Sequence, residues 1–87
     1  MNKRFAYFYF MKPEPDKIRQ LVPAHVEYWR KCSLTNYSGG PFADRSGGLI
    51  TFEATNLDET KKIVINDPFV LNDVLESNWI KEWVVEE

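Results

Sequence analysis

The pattern of apolar and polar positions along the chain marks out its elements. Phe5-Ala6-Tyr7-Phe8-Tyr9-Phe10-Met11 is an unbroken apolar run rich in aromatics. Such residues favour the pleated surface, so the run predicts a strand. Phe5, Tyr7, Tyr9 and Met11 would face one way, and Ala6, Phe8 and Phe10 the other. A strand that is apolar on both faces is expected to be buried on both. Pro13 and Pro15 end it, because neither can donate to a ladder. Asp16 to Leu21 suits a short helical turn. Pro23 then predicts the first turn of a separate helix reaching about Ser33, since its missing N–H costs nothing there. In that helix His25, Trp29 and Cys32 fall at i, i+4 and i+7 on one inward stripe. Val22 and Val26 flank the stripe, and Glu27, Arg30 and Lys31 take the wet side.

Leu34 to Ser38 reads as a weaker strand that Gly39-Gly40-Pro41 breaks. A loop from Phe42 to Gly48 leads into a strand over Leu49 to Ala54, with Ile50, Phe52 and Ala54 on its apolar face. The paired glycines call for positive φ or for close approach of another group. Asn56 is placed to cap a second helix ending near Ile65 or Asn66, with Asp58 and Glu59 favourable in its first turn. Asp67-Pro68 reads as the cap and first residue of a short helix over Phe69 to Leu71. After a connection from Val74 to Ser77, Trp79 to Val85 predicts the last strand, with Trp79, Trp83 and Val85 on one face. Glu86 and Glu87 form a solvated tail.

The order strand, helix, strand, strand, helix, strand predicts an α+β, ferredoxin-like βαββαβ fold. Its four-stranded antiparallel sheet carries helices on one face. The other face would display aromatics from the first and last strands, a patch that soluble monomers avoid. A homodimer packed sheet to sheet would cover it.

The 87 residues make a single domain over 1–87. A chain of this size buries only roughly 60–65% of its unfolded surface, and association is a common remedy. At 44% hydrophobic and 15% aromatic it is too apolar for disorder. Its net charge of -2, with no basic block, argues against nucleic acid as a partner. The N-terminal apolar run is too short to span a membrane and lacks a cleavage site, so no membrane role and a cytoplasmic location are expected. Cys32, the only cysteine, fits a reducing compartment and reads as a small buried hydrophobe.

His25 is the only histidine. One histidine with scattered carboxylates offers no local metal-ligand set, so no metal is expected. The glycines carry no following Lys-Ser/Thr and no dinucleotide spacing, so a phosphate loop is not expected.

Several segments taken in order resemble the YciI-like proteins. They are Pro23-Ala24-His25, Ser38-Gly39-Gly40-Pro41, Gly48-Leu49-Ile50-Thr51-Phe52-Glu53-Ala54, Asp67-Pro68-Phe69 and Ile80-Lys81-Glu82-Trp83. The resemblance covers nearly the whole chain and implies a dimeric α+β barrel built from ferredoxin-like subunits. It also implies a site centred on a histidine and an aspartate, which by position are His25 and Asp67. Ser38 and Gly40 would line the same pocket. A few relatives act on small aromatic ring compounds, including by dehydrochlorination.

Three functions remain open at this stage. The first is a cofactor-free lyase or isomerase acting on a small molecule, with His25 as general acid/base and Asp67 orienting it. The second is a binding module whose pocket holds a small ligand without chemistry. The third is a structural dimer in which the pair satisfies buried polar groups.

Overall fold

The computed structural model describes residues 2–86, so the expectations for Met1 and Glu87 lie outside it. The elements run β1 (Lys3–Met11), α1 (Pro15–Lys31), β2 (Thr35–Pro41), β3 (Gly47–Ala54), α2 (Leu57–Val64), α3 (Pro68–Leu71) and β4 (Leu75–Glu82). The strands form one sheet in the order β2-β3-β1-β4. Every neighbouring pair is antiparallel. This is the expected ferredoxin-like α+β arrangement, with β1 central because its two faces are both apolar.

Alternation along β1 divides the molecule into two sides. Phe5, Tyr7 and Tyr9 are buried under the helices. They join Trp29, Ile50, Phe52, Ala54, Val64, Phe69 and Val74 in a single core. Ala6, Phe8 and Phe10 point to the side that no helix covers. There Phe8 stacks on Trp79 with ring centroids 5.4 Å apart, and Phe10 stacks on Phe42 at 5.7 Å. Phe10, Leu49, Trp79 and Trp83 stay between 37% and 44% exposed, so this side is an aromatic patch on a lone chain.

Four expectations need correction. Pro23 does not open a helix. It lies inside α1, which begins at Pro15 with Asp16 in its first turn. An interior proline removes the bond to the carbonyl four residues back, here Arg19, and costs roughly 3 kcal/mol. The helix continues because its apolar stripe does: Ile18 and Leu21 before the proline, and His25, Tyr28 and Trp29 after it, all pack on the sheet side. His25 is therefore in the third turn of α1, and the charge of the helix N-terminus does not act on it.

The second correction concerns the glycines of β2 and β3. Gly39-Gly40-Pro41 does not end β2, which pairs with β3 through Pro41↔Gly48. No glycine has positive φ; that conformation falls to Ser33, Asn36, Arg45 and Asp73. Close approach is the reading that holds. A Cβ on Gly47 would lie 1.8 Å from the Tyr9 carbonyl oxygen, so only glycine fits against β1 there.

Third, β4 starts earlier and ends earlier than its apolar residues imply, over Leu75–Glu82. Its partner β1 sets those limits: Met11↔Leu75 and Phe5↔Glu82 are the last pairs. Trp83 still donates its backbone N–H to the Arg4 carbonyl at 2.9 Å. Beyond it Val84 is 80% exposed and Val85 has no strand partner. Cys32 is likewise less buried than the stripe implies: it is the half-buried C-cap of α1.

The interior proline gives a test. Pro23→Ala restores the helical bond while losing some stiffening of the unfolded chain, so it should raise stability by about 2 kcal/mol. Thermal denaturation should show a higher midpoint. An unchanged midpoint would mean that α1 absorbs the proline without cost.

Candidate functional site

Asp67 is the group around which the site is assembled. Its backbone precedes Pro68, which is pushed toward extended geometry, and it caps α3 with φ -61 and ψ 130. Its side chain is fully buried and accepts three hydrogen bonds. Oδ1 takes the Phe69 backbone N–H at 3.0 Å and the His25 Nδ1 at 2.8 Å. Oδ2 takes the Trp29 indole N–H at 3.1 Å. Two of these donors, the amide and the indole, can only donate. The carboxylate is thus an acceptor on both oxygens, and His25 meets it through Nδ1–H.

That contact fixes the imidazole. With the proton on Nδ1, the neutral ring leaves Nε2 free to accept. Nε2 faces the Tyr9 hydroxyl at 3.4 Å, a long contact. The ring lies flat on Phe69, with centroids 4.0 Å apart and an interplanar angle of 11°. Tyr9 meets it edge-on at 6.0 Å. Helical geometry places His25 and Trp29 one turn apart on α1, so both reach the same carboxylate.

His25 lines a cleft of about 1200 Å³ between α1 and the sheet. Tyr9, Trp29, Tyr37 and Phe69 give it aromatic walls, with Met11, Val22 and Ile50 among its apolar lining. Lys12, Glu14, Arg19, Arg30 and Arg45 supply its charged rim. Burial, and after it the charge of Asp67, pushes the Tyr7, Tyr9 and Tyr37 phenols above their ordinary value. Burial likewise pushes the Cys32 thiol up. Among the described residues no cluster of three His, Cys, Asp or Glu could hold a metal ion. No helix among them is long and apolar enough to cross a membrane.

The structure brings together two of the four candidate site residues directly, His25 and Asp67. Gly40 lines the same cleft. Ser38 does not. It pairs with Thr51 and lines a separate hollow with Phe42, Leu49 and Thr51. Strand alternation is the reason: Tyr37 and Gly39 face α1, so Ser38 between them faces away. Sequence reasoning missed Tyr9, Trp29, Tyr37 and Phe69 as site residues. Trp29 was within reach of it, because a residue at i+4 from His25 shares its face.

A family model, the YCII-related domain, matches residues 5–84. The chain belongs to the YCII-related family. No curated protein matches it. Among solved structures, this YCII-related chain is similar to the 5-chloro-2-hydroxyhydroquinone dehydrochlorinase of Burkholderia phenoliruptrix, in complex with 2,5-dihydroxybenzoquinone. The two share 23% identity over 93% of each chain, with a TM-score of 0.78. It is also similar to an antibiotic biosynthesis monooxygenase, at 16% identity over the whole of both chains and a TM-score of 0.65. A third likeness is to SnoaB, a cofactor-independent oxygenase from Streptomyces nogalater, at 8% identity over 99% of this chain and 94% of that one, with a TM-score of 0.58. At such identities the likeness is one of fold: the YCII-related chain shares the α+β, ferredoxin-like fold of these structures.

The three bonds to Asp67 can be tested apart from any activity. Asp67→Ala strands three buried donors, and each unsatisfied buried group costs ~1–3 kcal/mol, so it should destabilise the fold by at least about 3 kcal/mol. Asp67→Asn keeps one acceptor oxygen and should cost less. In proton NMR the His25 Nδ1–H signal, shifted downfield by the carboxylate in wild type, should move upfield or vanish in Asp67→Asn. Identical spectra would mean that the two side chains are not joined.

Proposed function

We propose that this chain is a cofactor-free enzyme of lyase or isomerase type that moves a proton on a small ring compound. One observation carries the reading: His25 lines the cleft while its Nδ1 is bound to the buried Asp67 carboxylate at 2.8 Å, which leaves Nε2 as the nitrogen that can act as a base. An imidazole held this way is a general base on one side and a stabilised cation once it takes a proton. Asp67 does not touch substrate in this scheme. It orients the ring, and its negative charge offsets the imidazolium.

The chemical step balances without a further reactant. Nε2 removes a proton from the substrate, and the electron pair left behind shifts into the ring system. In an isomerisation the same imidazolium returns the proton at another atom. In an elimination a leaving group departs with its bonding electrons. The similar dehydrochlorinase, by its name, catalyses a reaction of the second kind. The aromatic walls of Trp29, Tyr37 and Phe69 suit a flat ring.

The second reading is a binding or structural module. It is favoured by the capping bond from Phe69 N–H to Asp67, which would be needed whether or not His25 did chemistry. Deuterium exchange decides between them. With hydroxylated and chlorinated hydroquinones in D₂O, wild type should exchange ring protons or release chloride. His25→Ala should slow this by about 10²–10⁴-fold with an unchanged circular-dichroism spectrum. Saturable binding with no exchange by wild type would leave the binding module.

The functional unit in this reading is a homodimer formed through the uncovered side of the sheet. Support comes from the aromatic patch of Phe8, Phe10, Phe42 and Trp79. Light scattering should give twice the chain mass of 10.2 kDa. Trp79→Glu should give a single chain mass. A monomeric wild type at micromolar concentration would contradict the proposal.

A further inference from the structure

Two glycines and two tyrosines meet at the cleft in the same way. On β3, a Cβ on Gly48 would stand 2.5 Å from the Tyr9 hydroxyl and 2.8 Å from the ring carbon that bears it. On β2, a Cβ on Gly39 would stand 2.6 Å from the Tyr37 hydroxyl and 3.1 Å from its ring carbon. Backbone conformation asks for glycine at neither place, since neither has positive φ. At both places the nearest group is the phenol, and a Cβ on Gly48 would also lie 2.9 Å from the Gly40 carbonyl oxygen. Each glycine is a seat that lets a hydroxyl lie flat against the sheet at the edge of the cleft. Any larger residue would tilt the ring away.

Tyr9 and Tyr37 line the same cleft as His25. The Tyr9 contact to Nε2, at 3.4 Å, is too long to use the hydroxyl fully, so its proton is available to a ligand oxygen nearby. Both phenols are held in the protonated, donating form by burial and by Asp67. At the rim Lys12, Arg19, Arg30 and Arg45 stand against Glu14. Lys12, Arg19 and Arg30 are paired with carboxylates. Those partners and Glu14 bring the rim near balance, with Arg45 the cation that has no carboxylate partner among the described residues.

We infer that Tyr9 and Tyr37 are the substrate-binding donors of this cleft, and that its ligand is a small planar ring bearing an acidic oxygen, as a phenolate, enolate or hydroxyquinone anion. The ligand oxygen accepts from the two phenol hydroxyls while the ring lies against the aromatic walls. This rests on the acid/base reading of His25 for the chemical step, because charge developing on the ring oxygen is what the donors would stabilise. Binding itself needs only the phenols.

Calorimetric titration with 2,5-dihydroxybenzoquinone, near neutral pH where it is an anion, tests the inference. Wild type should bind it. Tyr9→Phe and Tyr37→Phe should each weaken binding by about tenfold to a hundredfold, as expected for a hydrogen bond to a charged group. Unsubstituted benzoquinone, which has no acidic oxygen, should be affected by neither. Gly39→Ala should weaken binding as Tyr37→Phe does, and should weaken it no further when added to Tyr37→Phe. Tyr37 is half-exposed, so its variant keeps the test open even if Tyr9→Phe fails to fold. Absence of binding by wild type, or wild-type affinity in both tyrosine variants, overturns the inference. His25→Gln separates this outcome from failure of the base: lost turnover with the tyrosine effects absent leaves His25 standing alone. Retained turnover with the tyrosine effects present leaves only the phenols.

Discussion

The rest of the structure depends on one buried carboxylate. Asp67 accepts from Phe69, from Trp29 and from His25. Two of these donors lie 38 and 42 residues away in sequence. An isolated charge at zero exposure would be costly, and three donors are what make it tolerable. The same bonds have three consequences. They start α3 at Pro68, they dock α1 at its third turn, and they leave Nε2 as the free nitrogen of His25. Capping and orientation are therefore not rival roles for Asp67. One oxygen performs both, because a carboxylate oxygen has room for two donors.

Much of this was legible in the sequence where a local pattern and the tertiary fold agree. Asn56 was expected to cap α2, and it accepts the Glu59 N–H at 2.8 Å. Asp67-Pro68 was expected to open a short helix, and it does. The doubly apolar β1 gave the central strand and the unpaired face. Legibility failed where burial overrode a local rule. Pro23 is a strong start signal, but the stripe through Ile18, Leu21 and His25 is stronger. Ser38 followed from a resemblance by position, and position along a strand does not say which face a residue takes when a register shift lies between Thr35 and Ser38. Tyr9 and Tyr37 gave no sign that they line the cleft. A tyrosine in a strand reads as core until the glycine opposite its hydroxyl is seen.

Core and site are here largely the same residues. Tyr9, Trp29 and Phe69 are at most 3% exposed and belong to the main core, yet each also lines the cleft. A chain of 87 residues has little interior to divide between a core and a cleft. Its answer is to let one aromatic cluster serve both, with its inner edges packed and its outer edges forming the walls. Substitutions that remove a ring will therefore confuse loss of fold with loss of function. Substitutions that remove one oxygen from a ring, leaving its packing intact, will not.

The two sides of β1 carry this economy further. Odd-numbered positions hold the core and reach the cleft; even-numbered ones carry the aromatic patch on the opposite side. Backbone pairing with β3 and β4 fixes both sets at once, because a shift of one residue would exchange them. Gly47 and Gly48 pin that register from β3. They sit opposite Phe10 and Tyr9, where a side chain on either would collide with β1. Any association through the patch therefore acts on the same strand that presents Tyr9 to the cleft. An association through the patch and a ligand in the cleft would thus both bear on β1, with no loop or hinge between them.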